Sequence, residues 1–365
     1  MPEFNNSSEV NQFQMNDLMK VALGKAPADL AIINGDIVNV YTNEVLPRAR
    51  VLIKGDRIAY VGQNSKHTIT SRTEVIDASG KVLIPGLIDG HTHADSTFSL
   101  SEFLKYCMRS GTTTVISELS CIVFPLGYQG IKQFLESARN QPVKVFYTIP
   151  PMGTISRASE DNAIRRSELK QLFKHKEVLG LGEIYWAPTI ANNLRLGELI
   201  IETNFARKRL EGHSSGAKND KLEAYIAAGI TSCHEPITVE EVKERLRLGL
   251  FVMIRESDIR NELETIAGVK DENIDLGWVA LASDGVAPAQ LVQDGYMERI
   301  VQKAIDQGFD PITAIKMATI NVARYFQLDN LIGGIAPGRY ADIVILPDLH
   351  MVEPECVISI GRVVA

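Results

Sequence analysis

Eight apolar, β-branched runs recur between residues 81 and 285, and most are followed by a helical stretch. They read KVLIPGLIDGH, TTTVISE, VKVFYTIP, VLGLGEIY, KRLEGHS, ITSCHEP, LFVMIRES and WVALASDG. A strand with one solvated face alternates apolar and polar residues. Continuous apolar runs alternating with helices therefore predict parallel strands covered on both faces. Eight such units predict an α/β fold, a closed (β/α)8 TIM barrel, whose catalytic residues lie at the carboxyl ends of the strands. An open doubly wound sheet is the competing architecture, but no G-x-G-x-x-G follows the first run. Helical stretches include DKLEAYIAAG, TVEEVKERLRLG and DPITAIKMATINVARYF, with candidate N-caps at Asn219 or Asp220, at Thr238 and at Asp310.

Two β-rich ends flank this middle. Residues 29–62 read as short strands, with turn signals at Asn34-Gly35 and Lys54-Gly55-Asp56. GRYADIVILPD and PECVISIGRVVA repeat the style near the far end. Neither end has enough strands to bury a face alone, so the two are expected to share one small β-sandwich. The expected division is an N-terminal arm and short helix (1–28, the helix near 15–23), a first sandwich part (29–80), the barrel (81–330) and a second sandwich part (331–365).

Composition narrows the function classes. Of 365 residues, 45% are hydrophobic, enough for a large core. A net charge of -7 and a pI near 5.6 give nothing to counterion release, so no nucleic-acid partner is expected. No segment is apolar over the ~20 residues needed to span a bilayer. The polar opening, residues 1–14, lacks the charged and apolar regions of a secretory signal. Cys107, Cys121, Cys233 and Cys356 form no C-x-x-C pair and read as reduced thiols in a cytoplasmic protein.

The polar residues fall at the ends of the runs. His91 and His93 are two apart on an extended chain, so they share a face and can share a metal. The fourth run ends in Glu183, the fifth in His213, the sixth in His234-Glu235 and the eighth in Ser283-Asp284. Imidazoles with carboxylates suit Zn, Mn or Fe with open positions for water. Other roles stay open. A buried Glu183 needs a cation or an Arg partner, and Asp284 has the residue type of a helix N-cap. Arg255 and Glu256 end the seventh run, where they either contact substrate or pair with each other. Glu118 ends the second run with the same ambiguity. Cys233 neighbours His234 and so faces away from it. His67, His175 and His350 lie in polar or terminal stretches and read as surface residues. Two divalent cations about 3.5–4 Å apart would lower the pKa of a bridging water, and the hydroxide would attack an electrophilic carbon. Asp284 would carry the proton to the leaving group, a scheme suited to C–N hydrolysis.

PGLIDGHTH and IGGIAPGRYADIVIL resemble the amidohydrolase superfamily. Residues 211–257, EGHSSGAKNDKLEAYIAAGITSCHEPITVEEVKERLRLGLFVMIRES, resemble its bacterial adenine deaminase family more specifically. The Glu of LGLGEIY stands where that family has its metal-bridging carboxylate. The resemblance implies two divalent cations, Mn2+ foremost, with Fe2+ or Zn2+ as alternatives. His91, His93 and Asp284 would hold one, His213 and His234 the other, and Glu183 would bridge. It also implies catalytic roles for Asp284, Glu183 and Glu235, and substrate binding by Asp95, Glu118 and Arg255. The reaction implied is the hydrolysis of an aminopurine, adenine plus water giving hypoxanthine plus ammonia. HADST stands where the family has H-I-E-S-S, SELSCIVF where it has a D-P-H-E run, and Asp284-Gly285 where it has Asp-Asp. A modified adenine or another cyclic C–N substrate is the alternative these departures raise. A non-catalytic binding protein is the third. Family members are longer, so a short form, natural or truncated, is expected. Association into a homo-oligomer is expected by analogy alone.

Overall fold

The computed structural model describes residues 12–63, 69–151 and 161–365. The alternation seen near both termini builds one mixed sheet. Its strands are β1 (Leu30–Asn39), β2 (Glu44–Lys54), β3 (Arg57–Gly62), β4 (Glu74–Asp77) and β5 (Val82–Pro85) from the first end. The middle of the chain supplies β6 (Leu87–Thr92), β7 (Thr112–Glu118), β8 (Lys144–Ile149), β9 (Val178–Tyr185), β10 (Arg209–His213), β11 (Ser232–Cys233), β12 (Phe251–Arg255) and β13 (Val279–Ala282). The far end adds β14 (Ile343–Leu346), β15 (Cys356–Ser359) and β16 (Arg362–Val363) to the first sheet. The order there is β16-β15-β14-β5-β1-β2-β3, with β4 beside β1. The two ends meet where β5 pairs antiparallel with β14. Successive residues of β1 serve opposite faces. Leu30 and Ile32 pack with Ile53 and Ile343, whereas Ala31 packs with Val21 of the helix Gln12–Ala22.

Two local expectations change. Asn34-Gly35 is no turn: β1 runs through it with a shift of register, and Asn34 has φ 64°. A side chain at Gly35 would place its Cβ 2.2 Å from Leu83 Cδ1, so glycine there admits the neighbouring strand. Lys54-Gly55-Asp56 does join β2 to β3, with Gly55 at φ 60°. The run KVLIPGLIDGH is two strands, β5 in the terminal sheet and β6 in the central one, parting at Gly86.

The eight central strands form two parallel sheets, β6 to β10 in sequence order and β11-β12-β13. Backbone hydrogen bonds cross both gaps between them. Thr231 N–H donates to the Leu210 carbonyl at 2.9 Å, and Asp284 N–H donates to the His91 carbonyl at 2.9 Å. Apolar residues cover both faces, as the continuous runs required. Ile88, Ile116, Met253 and Ala280 share one cluster with Tyr325 and Phe326, while Val115, Val252 and Leu281 join the larger cluster with the helices.

The helices Val239–Arg247 and Pro311–Met317 begin as expected. Thr238 accepts from Glu241 N–H at 3.2 Å, and Asp310 from Thr313 N–H at 2.9 Å. Asn219 precedes the helix Asp220–Ala227, but its side chain makes no cap bond. The stretch read as one helix after Asp310 is two, Pro311–Met317 and Ile320–Tyr325. They part where the Ala318 carbonyl accepts Ile88 N–H of β6 at 2.7 Å instead of continuing a helix. Asp310→Ala is expected to lower stability by about 1 kcal/mol, read as a shifted urea midpoint with unchanged slope.

The four cysteines are free thiols. No helix among the described residues is long and apolar enough to cross a membrane.

Candidate metal centre

Strand ends bring the polar residues together. His91 leaves β6 with His93 just beyond it, Glu183 lies on β9, His213 ends β10, and His234-Glu235 and Ser283-Asp284 follow β11 and β13. Glu183 and Asp284 have φ of 42° and 54°, in the left-handed region. That conformation costs on the order of 1–3 kcal/mol for such residues and persists where the surroundings over-determine it. Here it turns both carboxylates toward the histidines.

Glu183 Oε1 stands at the centre. It lies 3.7 Å from His91 Nε2, 3.7 Å from His93 Nε2, 3.6 Å from His213 Nδ1 and 3.5 Å from His234 Nε2. Asp284 Oδ1 is 3.2 Å from His91 Nε2 and 3.5 Å from His93 Nε2. Glu235 Oε1 is 3.4 Å from His234 Nε2 and 3.5 Å from His213 Nδ1. The buried His91 Nε2, His213 Nδ1 and His234 Nε2 have no hydrogen-bond partner. Ligand atoms sharing a cation through bonds of about 2.1 Å lie roughly 3–3.5 Å apart. The spacing and the unpartnered nitrogens therefore fit divalent cations. Among the described residues, His91, Glu183, His234 and Asp284 form one such group, His213, His234 and Glu235 another, and His93, Glu118 and Glu183 a third.

The electrostatics agree. Burial opposes charge on His91, but Asp284 and Glu183 outweigh it and raise the imidazole to about 10. Burial, then the charge on His91, lowers His234 to about 4. Burial works against ionised Glu183 and Asp284, yet the imidazoles hold both well below the usual carboxylate range. A bound cation would take the place of these protons.

A second set of residues braces the first. Asp89 is fully buried and accepts from Ser283 N–H and His91 N–H at 3.1 Å, and from Ser283 Oγ and Tyr296 Oη at 2.5 Å. It ties the ends of β6 and β13 together. Sequence reasoning passed over it, and β6 shifts register between Asp89 and Thr92, so the two-residue period does not carry from Asp89 to the histidines. Arg255 does not pair with Glu256. Its guanidinium holds Glu235 at 2.6 Å, Asp284 at 2.9 Å and Glu262 at 3.0 Å, while Glu256 takes Lys303 at 2.8 Å. Arg260, half exposed, also reaches Asp284 at 3.3 Å. Nothing in the sequence pointed to Glu262 or Arg260.

The residues expected to bind substrate are placed differently from one another. Arg255 is committed to three carboxylates. Glu118 has a side chain with 0% exposure and lies against His93. Burial, then Glu183, raises it to about 8. Asp95 is nearly buried and accepts Ile122 N–H at 2.8 Å; burial raises it to about 6. Cys233 lies away from the ligand groups, against Ser214 and Arg245. Among the described residues, His175 and His350 join no ligand group, and His67 lies outside the described residues.

Comparison with known proteins adds the lineage. The model of the amidohydrolase family matches residues 82–364. An adenine deaminase of Clostridium botulinum is 37% identical over 354 residues, covering 95% of this chain and 59% of that protein. One from Moorella thermoacetica is 38% identical, covering 96% and 59%. The chain thus spans about three fifths of the curated relatives it matches. Among solved structures, β-aspartyl dipeptidase of Fervidobacterium islandicum superposes with TM-score 0.68 at 20% identity, covering 92% of this chain and 96% of that one. Molinate hydrolase gives 0.67 at 16%, covering 92% and 94%. The match across residues 82–364 assigns the chain to the amidohydrolase family.

Proposed function

We propose that this chain is a metal-dependent aminopurine deaminase that hydrolyses adenine to hypoxanthine and ammonia. The observation that carries this is the convergence of His91, His93, His213 and His234 on Glu183 Oε1, within a chain whose relatives named adenine deaminase align over nearly its whole length. The strands β6 to β13 are read as one closed (β/α)8 barrel within residues 81–330. Residues 29–80 and 331–365 make the small β domain, and residues 1–28 the arm and first helix. The protein is read as cytoplasmic, with a small-molecule partner.

Two divalent cations fit the donor set, Mn2+ foremost. His91, His93 and Asp284 would hold one, His213 and His234 the other, and Glu183 both. When bound, they would supply Lewis acidity and a water of lowered pKa. Asp284 accepts the proton of the attacking water and passes it to the amino nitrogen of the purine. The C6–O bond forms, the C6–N bond breaks, and the nitrogen leaves as ammonia. Glu235, beside His213 and His234, assists as a second carboxylate, oriented by Arg255. Arg255 itself is a positioning residue, because its donors already face three carboxylates. Asp95 remains the candidate for contact with the purine.

The test is ammonia release from adenine by the purified chain loaded with Mn2+, followed as the purine absorbance changes. Turnover that disappears after chelation and returns with Mn2+ is expected. Cation-loaded protein that releases ammonia from no purine would refute the deaminase assignment. Methylamine release from N6-methyladenine alone, or ammonia release from cytosine alone, would move the substrate and leave the metal chemistry standing.

A further inference from the structure

We propose that Glu118 is a positioning residue for the metal centre: a carboxylate behind His93 that accepts its Nδ1–H and so aims Nε2 at Glu183 and Asp284. The proposal rests on the reading of the site as a metal centre. His93 presents its two nitrogens to different neighbours. Nε2 lies 3.7 Å from Glu183 Oε1 and 3.5 Å from Asp284 Oδ1, on the side of the other ligands. Nδ1 points the other way, 3.5 Å from Glu118 Oε2, is buried and has no hydrogen-bond partner. An imidazole that offers the Nε2 lone pair to a cation carries its proton on Nδ1. A buried N–H without an acceptor is costly, and Glu118 stands where the acceptor is needed. At 3.5 Å the two atoms face one another just outside the length of a formed hydrogen bond.

The sequence fixes Glu118 in that place. It is the last residue of β7, between β6, which leads to His93, and β8. Ser120, first residue of the helix Ser120–Ser137, holds Glu118 Oε2 with its N–H at 2.9 Å and with its hydroxyl. That leaves Glu118 Oε1 buried and unpartnered. On the far side, glycine at 182 leaves room for the Glu118 side chain, since a Cβ there would come within 2.9 Å of Glu118 Cγ. Outer-shell carboxylates of this kind fix the tautomer and ring orientation of a ligand histidine, and their loss typically costs about 10–100-fold in metal affinity.

The experiment compares wild type, Glu118→Gln and Ser120→Ala, using Mn2+ affinity by chelator competition, the absorption spectrum of the Co2+-loaded protein, and KM and kcat for adenine. Glu118→Gln should bind one of two cations about 10–100-fold more weakly, with an altered Co2+ spectrum. Its kcat should fall at saturating metal while KM stays near wild type. Ser120→Ala, which only loosens the carboxylate, should shift affinity the same way by less, and it stands in if Glu118→Gln does not fold. A raised KM with unchanged affinity and spectrum would make Glu118 a substrate contact and overturn the proposal, leaving the metal centre intact. Wild type that takes up neither Mn2+ nor Co2+ would overturn the metal-centre reading and this proposal with it.

Discussion

Glu183→Gln should strip at least one cation from the centre and lower kcat by more than about 10³-fold, roughly 4 kcal/mol of barrier. Four imidazoles surround Glu183 Oε1 at 3.5–3.7 Å. An amide keeps the volume but gives up the charge that makes this oxygen a shared ligand. The loss should not come from unfolding, because glutamine fits the same space and the backbone strain at φ 42° is unchanged. Circular dichroism should match wild type while metal analysis and turnover collapse. A Glu183→Gln protein that holds two cations and turns over within tenfold of wild type would remove Glu183 from its bridging role.

Arg255→Met should be the most damaging of these changes to the fold, at about 3–5 kcal/mol. Arg255 is almost wholly buried, and its fork serves Glu235, Asp284 and Glu262 together. A methionine fills much of the volume but leaves three carboxylates crowded in a closed space. Removing one partner of a buried ion pair strands the other charge, and that asymmetry sets the magnitude. Urea unfolding measures it. Adding Mn2+ should recover part of the loss, because a cation that binds only the folded state stabilises it. Arg255→Lys should fall between, keeping the charge but not the planar fork. A change below about 0.5 kcal/mol, the scale of an ordinary surface substitution, would contradict the positioning role.

The residues that were legible in advance share a cause. A period of two placed His91 and His93 on one face, and polar endings of apolar runs marked Glu183, His213, His234 and Asp284. Such patterns are local, and a strand preserves them. The same rule, applied to Arg255 and Glu256, would have excluded their pairing, since adjacent residues of an extended strand face opposite ways. Which carboxylates Arg255 meets instead was not legible, because Asp284 lies 29 residues away and arrives by packing of β12 on β13. Asn34-Gly35 carried a turn signal but serves a bulge, because Leu83 of a distant strand needs the space. The helix read from Asp310 through Phe326 breaks at Ala318 because β6 takes its carbonyl. Glu118 ended a strand as expected, but its burial depends on the helix that begins at Ser120.

The most direct measurement is anomalous diffraction from crystals of the chain grown with Mn2+. Two peaks about 3.5–4 Å apart are expected. One should lie against His91, His93 and Asp284, the other against His213 and His234, with Glu183 between them. A folded chain with no peak among these residues, or with cations bound only elsewhere, would contradict the assignment of this site as the metal centre.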